Sequence, residues 1–328
     1  MAKASTKKHW LGFDLGGTKM LCVVFDKHFR VIGRSRKKTK GHEGMKLGLK
    51  RINDNIREAI SDAGLEIHEI AGLGIGCPGP LDFAKGEIRE APNLGWINTP
   101  IRKSIEDEFG FPAVIANDVD AGVFGEYQFG AAKGARCAVG IFPGTGIGGA
   151  CVYEGKLFRG ANTSCMEIGH IPLIPNGPLD GAGNPGSLEA IASRLSIAGA
   201  AAQAAYRGQA PHLLEEAGTD ISQIRSRVLS ESLEAGDTAV KEIIHQAAAH
   251  LAMGVVTIVH LLAPDVIVFG GGLIEAMEDQ ILPTVEKVAR SRILPSLRDD
   301  FKIVSAQLGD DAGVMGAAAL AKQFVAKD

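Results

Sequence analysis

Two apolar runs, residues 9–15 and 19–26, flank Gly16-Gly17-Thr18, and that pattern predicts a β-hairpin. A third strand is expected at about 29–39. Residues 45–63 carry helical spacing at Met45, Leu49, Ile52, Ile56 and Ile60, closed by Gly64. The continuous apolar run 70–77 reads as a buried strand ending in the turn Pro78-Gly79-Pro80. A helix at about 100–109, a short strand at 113–116 and a helix at 119–129 follow. A second hairpin is expected from strands 136–142 and 149–154 around a glycine-rich turn. Residues 160–187 show no periodicity and read as a long irregular loop, a length that usually carries function. Beyond it, helices are predicted near 187–206, 221–235, 238–262, 273–292 and 311–326, with strands at 265–270 and 301–307. Strands alternating with helices define an α/β protein.

The two hairpins show a faint repeat. A shift of 129 lays Phe13, Gly17, Cys22, Val23, Lys27, Phe29 and Arg30 on Phe142, Gly146, Cys151, Val152, Lys156, Phe158 and Arg159. At face value each lobe opens with a glycine-turned hairpin over a cleft, where α/β proteins tend to bind ligands.

Composition narrows the function classes. The 328 residues suggest two domains, and the net charge of −3 argues against a general nucleic-acid binder. Glycine is in excess, 42 of 328 residues, so glycines must serve turns, tight packings and ligand loops. The five cysteines, Cys22, Cys77, Cys137, Cys151 and Cys165, form no CxxC pair and read as reduced thiols of a cytoplasmic protein. The stretch between Glu242 and Asp265 has no formal charge but contains three histidines, and reads as a core helix rather than a membrane span. The basic run 34–40 reads as a solvated strand edge or loop, with a nucleic-acid patch as the alternative.

Several motifs carry candidate chemistry. At Asp14-Leu15-Gly16-Gly17-Thr18-Lys19 the glycines let backbone N–H groups reach phosphate oxygens, and Asp14 could hold a Mg²⁺-bound water. The alternative is a plain hairpin turn. Gly144-Thr145-Gly146-Ile147-Gly148-Gly149 matches GxGxxG, but a strand follows it where a dinucleotide fingerprint needs a helix, so a phosphate-cradling hairpin fits better. Gly270-Gly271-Gly272 follows a buried strand and either approaches a flat ring or ribose or lets a helix pack closely. Asn117-Asp118 is either a helix N-cap or a carboxylate presented as general base, with Asp120 as competitor. Glu167, His170 and Glu189 could hydrogen-bond a polyol.

Taken together, DLGGTK (14–19), GCPGPLD (76–82), PNLGW (92–96), Asn117-Asp118, PGTGIGGA (143–150), EIGH (167–170), GSLEA (186–190), FGGGL (269–273) and GDDAGVMGAA (309–318) resemble the ROK family of sugar kinases and repressors, in particular its glucokinase-like members. The resemblance implies a two-lobed, actin-like ATPase fold (ribonuclease H-like) with the active site in the interlobe cleft. It implies a small N-terminal lobe, 1–117, completed by the C-terminal helix 311–328, and a large lobe, 118–310. Asp118 would be the general base, and Asn93, Asn117, Glu167, His170 and Glu189 the hexose contacts. Asp14, Gly16, Gly17, Thr18, Lys19, Gly144, Thr145, Gly146 and Gly148 would hold the ATP phosphates and, through water, Mg²⁺. Gly270, Gly271 and Gly272 would lie near the adenosine.

One segment departs from the family. Many members bind structural zinc through a Cys-x-Cys-Gly-x-x-Gly-Cys cluster together with the histidine of EIGH. Here Asp180, Ala182 and Ser187 stand at the cysteine positions, so no structural zinc is expected and His170 is left as a sugar contact only. The activity implied is ATP-dependent phosphorylation of a hexose primary hydroxyl, glucose first. Fructose, mannose, N-acetylglucosamine, N-acetylmannosamine and allose are alternative substrates, and polyphosphate an alternative donor. A silent sugar-binding protein is the non-enzymatic alternative. The 13 residues before DLGGTK leave no room for the DNA-binding domain of a repressor. A cytoplasmic homodimer with no nucleic-acid or membrane partner is expected.

Overall fold

The computed structural model describes residues 8–161 and 165–326, which group into two compact units. Strands and helices are numbered along the chain. The first unit comprises Met1–Gly134, Gly155–Cys165 and Gln307–Asp328. Its main sheet contains β1 (His9–Leu15), β2 (Lys19–Phe25), β3 (Val31–Lys38), β4 (Ile70–Cys77) and β8 (Ala113–Asn117), in the order β3-β2-β1-β4-β8. The predicted hairpin is antiparallel with Phe13 opposite Cys22, and β4 and β8 extend the sheet in parallel. Helix α1 (Met45–Asp62) buries Ile52, Ile56 and Ile60, the inner part of its predicted stripe. A small antiparallel sheet of β5 (Leu81–Asp82), β6 (Glu87–Ala91) and β7 (Trp96–Thr99) lacked a pattern in the sequence, because its strands are short and half polar. Trp96 is buried there and its indole N–H donates to the Gly41 carbonyl at 3.2 Å.

The closing helix, α10 (Ala312–Val325), lies on β1, β4 and helix α3 (Asp118–Phe129). Glycine makes that approach possible. A Cβ at Gly12 would stand 1.9 Å from the Val314 carbonyl oxygen, and one at Gly74 1.8 Å from that of Ala317. This contact also moves the expected boundary. Helix α3 follows residue 117 yet belongs to the first unit, because its inner face is covered by α10. Glu126, fully buried on α3, fastens the arrangement by accepting the backbone N–H groups of Ala131, Gln307 and Leu308 at 2.8–2.9 Å.

The basic run 34–40 falls largely on edge strand β3, where alternate residues face solvent. Its cations meet acids of the same unit: Arg34 with Asp311, Arg36 with Asp310, Lys37 with Glu58 and Lys40 with Glu43.

The second unit comprises Ala135–Glu154 and Met166–Ala306. In its sheet β9 (Cys137–Pro143) pairs antiparallel with β10 (Ile147–Tyr153) and parallel with β12 (Val266–Phe269), which pairs with β13 (Lys302–Ser305). The strand after the turn begins at Ile147, two residues before the expected start, because Ile147 already faces Pro143. The register also corrects the repeat. Cys22 faces Phe13, but Cys151 faces Val139, three residues short of the Phe142 that a uniform shift requires. The match therefore holds along the second strands and fails on the first.

Helix α8 (Thr238–Leu262) is long and apolar enough to cross a membrane by length and composition, and half of that window is buried within the protein. Its Val240, Ile244, Leu251, Val255 and Ile258 enter the unit's core, as the core-helix reading expects. The helix expected at 187–206 is two helices, α4 (Leu188–Ala192) and α5 (Arg194–Tyr206). Ser193 breaks it: its backbone is extended and its hydroxyl caps α5 by accepting the Ser196 N–H. Helix α6 (Pro211–Ala217), opened by a proline in its first turn, was absent from the sequence reading. No disulfide links the described cysteines.

Candidate active site

In the first unit, the candidate residues gather at the ends of β1, β4 and β8. Asp118 opens α3, and Asn117 before it is the N-cap, its side-chain oxygen accepting the N–H groups of Val119 at 2.9 Å and Asp120 at 3.3 Å. The two readings of this pair are thus divided between its members: Asn117 caps, with its amide oxygen engaged, while Asp118 is exposed at the helix N-terminus. Asp120, the competitor, is buried at 2% exposure and points away from solvent access. Gly76 lies under this start, where a Cβ would make ordinary contact with the Asp118 Cα at 3.5 Å.

Asp14, at the end of β1, is the electrostatic centre of the group. Burial, then the charges of Asp118 and Asp310, push its carboxyl up to about 6, against the opposing pull of Arg36. Three carboxylates facing one guanidinium form a site that a divalent cation would neutralise, so the residues fit a water-bridged Mg²⁺. Gly16, Gly17, Thr18 and Lys19 form the adjoining turn, in which Thr39 donates its hydroxyl to the Gly16 carbonyl at 2.6 Å. Gly17, Thr18 and Lys19 are exposed. Asn93, also exposed, sits in the β6–β7 turn beside this loop, 3.4 Å from where a Gly17 Cβ would lie.

In the second unit, the turn 144–146 and the segment 167–189 form one cluster. Glu189, on α4, accepts the Ile147 N–H at 2.9 Å through one oxygen and the Gly181 N–H at 3.1 Å through the other. Gly146 lets this carboxylate sit against the turn: a Cβ there would stand 2.2 Å from a Glu189 oxygen and displace it. The 3-10 turn Ile168–His170 lies against β10 for a similar reason: a Gly169 Cβ would meet the Ile147 carbonyl at 2.2 Å. That contact presents exposed Glu167 and half-buried His170. Arg194, which the sequence reading missed, donates to the Thr145 hydroxyl at 2.9 Å, and its N–H bonds the Gly144 carbonyl. Only its place four residues after the GSLEA segment could have signalled it.

The zinc-like segment has a different organisation. The Asp180 side chain is wholly buried and its Oδ2 meets His170 Nδ1 and the Ser187 hydroxyl, each at 2.8 Å. Its Oδ1 accepts the N–H groups of Ala182 at 3.0 Å and Asn184 at 2.8 Å. One imidazole and the carboxylates of Asp180 and Glu189, already engaged by Ser187 and backbone N–H groups, supply three ligand atoms and no thiolate, short of the four-ligand, thiolate-rich set of a structural zinc. His170 ties the loop through Asp180, a role beyond the one expected of it from the sequence. Burial opposes charge on His170, yet the Asp180 bond and the charges of Glu189, Asp180 and Glu167 outweigh it and raise its pKa. His170, Asp180 and Glu189 each bring a ligand atom within 4.8 Å of the others. A cavity of about 870 Å³ in this unit opens beside them, lined by Thr145, Gly146, Glu189 and, further along, Gln246 and His250.

Gly270, Gly271 and Gly272 lie at the start of α9 (Gly272–Arg292), also in the second unit. The Phe142 ring fills the space of a Gly270 Cβ, 2.4 Å from it, so close packing accounts for that glycine. Gly271 is left-handed at φ 81°, and Gly272 is exposed near Ser226.

Comparison with known proteins places this geometry. A ROK family model matches residues 10–324. A glucokinase of Thermotoga maritima is 31% identical over 316 residues, 96% of this chain and 98% of that protein. The ROK hexokinase from Thermus thermophilus superposes with a TM-score of 0.82 at 31% identity, covering 98% of this chain and 100% of that one. A ROK family glucokinase from Streptomyces griseus, solved in complex with glucose and AMPPNP, superposes at 0.81 with 30% identity, covering 96% and 99%. The two units thus build the two-lobed, actin-like ATPase fold of the ribonuclease H-like class.

Proposed function

The chain belongs to the ROK family, and from that premise we propose that it is an ATP-dependent hexose kinase with glucose as its first substrate. The observation that carries the reading is Asp118, a carboxylate exposed at a helix N-terminus beside the Asp14 group. Asp118 accepts the proton of the sugar's primary hydroxyl as that oxygen bonds to the γ-phosphorus; the bond from phosphorus to the β,γ-bridging oxygen breaks and ADP leaves. Asn93, Glu167, His170 and Glu189 hold the sugar hydroxyls. Asn117 contributes its amide N–H₂, since its oxygen caps α3. Asp14 would hold Mg²⁺ through water, and the bound ion would neutralise charge on the phosphates.

The turns 16–19 and 144–148 offer backbone N–H groups to those phosphates, with Thr145 and Arg194 beside the second turn. Gly271 and Gly272 face the adenosine. A polyphosphate donor would call on unpaired cations, and Arg34, Arg36, Lys37 and Lys40 of the basic run 34–40 pair with Asp311, Asp310, Glu58 and Glu43, which favours ATP as donor. The enzyme works as a cytoplasmic homodimer in this reading.

ADP release with Mg-ATP across a hexose panel, using EDTA-treated protein, tests the proposal. Glucose should stimulate release most strongly, and added zinc should change nothing. Another dominant hexose would move the substrate assignment, and no stimulation by any sugar would end the kinase reading.

A further inference from the structure

We propose that Asp180 is a positioning residue for His170: it holds the imidazole in the Nδ1–H tautomer, so that Nε2 meets the substrate as an acceptor of a hydroxyl hydrogen. The inference deepens the hexose-kinase reading and, for its effect on catalysis, rests on it.

The argument starts from the surroundings of Asp180. Its side chain is wholly buried, and burial by itself would favour the neutral acid. The bonds from His170, Asn184, Ser187 and Ala182 reverse this and hold the carboxyl well below the usual carboxylate range. A carboxylate has no hydrogen to give, so the hydrogen in the 2.8 Å contact with His170 Nδ1 belongs to the ring. A neutral imidazole carries a single N–H, and which nitrogen bears it is set by the partner of the other. Nε2 is then a lone pair, on a ring whose side chain is 35% exposed.

The charged groups around the ring are Asp180, Glu189 and Glu167. Glu189 is held by the Ile147 and Gly181 N–H groups, while Glu167 is exposed. Two carboxylates and one imidazole lone pair make a surface composed of acceptors. It suits a ligand rich in O–H donors and repels one that carries a carboxylate or phosphate at that position. Ser187 links the two halves of the device, since its hydroxyl donates to Asp180 and also accepts the Ala190 N–H at the start of the helix that bears Glu189.

The test joins a spectrum to kinetics. Long-range ¹H–¹⁵N spectra of the full chain labelled at histidine, recorded at pH 8, should show His170 protonated at Nδ1 and bare at Nε2. Asp180→Ala should move the hydrogen to Nε2 or mix the tautomers. Asp180→Asn, whose amide oxygen still accepts, should keep Nδ1–H. In the ADP-release assay Asp180→Ala should raise the KM for glucose roughly tenfold or more with kcat changed less than about threefold. Asp180→Asn should restore most of the affinity. In a His170→Gln background the same Asp180→Ala change should add less than about twofold, because its route to the sugar is gone.

A wild-type spectrum with Nε2–H overturns the proposal, and so does an Asp180→Ala effect of equal size in the two backgrounds. If Asp180→Ala does not fold, the wild-type spectrum and Asp180→Asn still decide. Should no hexose be phosphorylated by the wild type, the functional reading falls, while the spectrum continues to decide the tautomer.

Discussion

The turn of the first hairpin is held from the side by Thr39 and stands next to the acids Asp14, Asp118 and Asp310; the turn of the second is held from behind by Glu189 and Arg194. Both turns are glycine-rich and connect antiparallel strands, yet their glycines answer different demands. At Gly17 an added Cβ would make ordinary contact with Asn93, whereas at Gly146 it would strike the Glu189 carboxylate. The first turn thus leaves its surroundings under-neutralised, with burial and like charge raising Asp14. The second turn is locked from behind, the Ile147 N–H held by Glu189 and the Thr145 hydroxyl and Gly144 carbonyl by Arg194. Similar local sequence therefore borders a cluster of like charges in one unit and rests on a rigid support in the other.

The largest expected effect separates the chemistry from both turns. Asp118→Ala should lower kcat by about a thousandfold or more while the glucose dissociation constant, measured by calorimetry, moves less than about threefold. A variant with near-normal turnover would remove Asp118 from the mechanism. Next, the glycines can be set against each other. Gly146→Ala should raise the glucose KM roughly ten- to a hundredfold by displacing Glu189, while Gly17→Ala should change it less than about threefold. Equal effects would erase the distinction drawn between the turns.

A smaller effect is expected at Arg194. Arg194→Met should raise the KM for ATP about five- to tenfold with glucose affinity unchanged, because the side chain supports Thr145 and the phosphate turn. Unchanged ATP kinetics would confine Arg194 to a structural role.

The smallest effect is on stability, and its sign depends on pH. Asp14 ordinarily titrates near 3.8 and is raised to about 6 in the folded protein. The protonated group therefore favours the folded state fully below 3.8, and that advantage is lost as pH rises through about 6. At pH 8 without Mg²⁺, the ionised carboxyl is a burden, and Asp14→Asn should stabilise the protein by at most about 3 kcal/mol. At pH 4 the gain should vanish. Thermal midpoints at the two pH values check this, and a stabilisation as large at pH 4 as at pH 8 would contradict the assigned cause. Turnover of Asp14→Asn should fall even where the fold is strengthened, since the site then loses charge for Mg²⁺.

Much of this was legible along the chain. The runs 9–15, 70–77 and 266–269 are apolar enough to read as strands, and 45–62 and 238–262 have the length and spacing of helices. Asp14, Asn117, Asp118, Glu167, His170 and Glu189 were singled out because their residue types suit the chemistry. Short or irregular pieces escaped. Strands β5 to β7 are too brief to show a period, and the break at Ser193 rests on one hydroxyl capping a helix. Arg194 and Asp180 escaped as functional residues because nothing nearby in the sequence shows what they touch.

By itself, then, the sequence determined the element types, the two glycine turns, the chemical inventory and the lack of thiolates for a zinc. These depend on local pattern and composition, which each segment carries alone. Tertiary structure decided which unit α3 joins, that Gly146 packs against Glu189, and that Asp180 takes up the hydrogen-bonding of a loop left without thiolates. Each of these is a contact between segments far enough apart in the chain that no local pattern encodes it. A carboxylate's charge, partners and burial come into being only when the fold brings its neighbours within hydrogen-bonding distance.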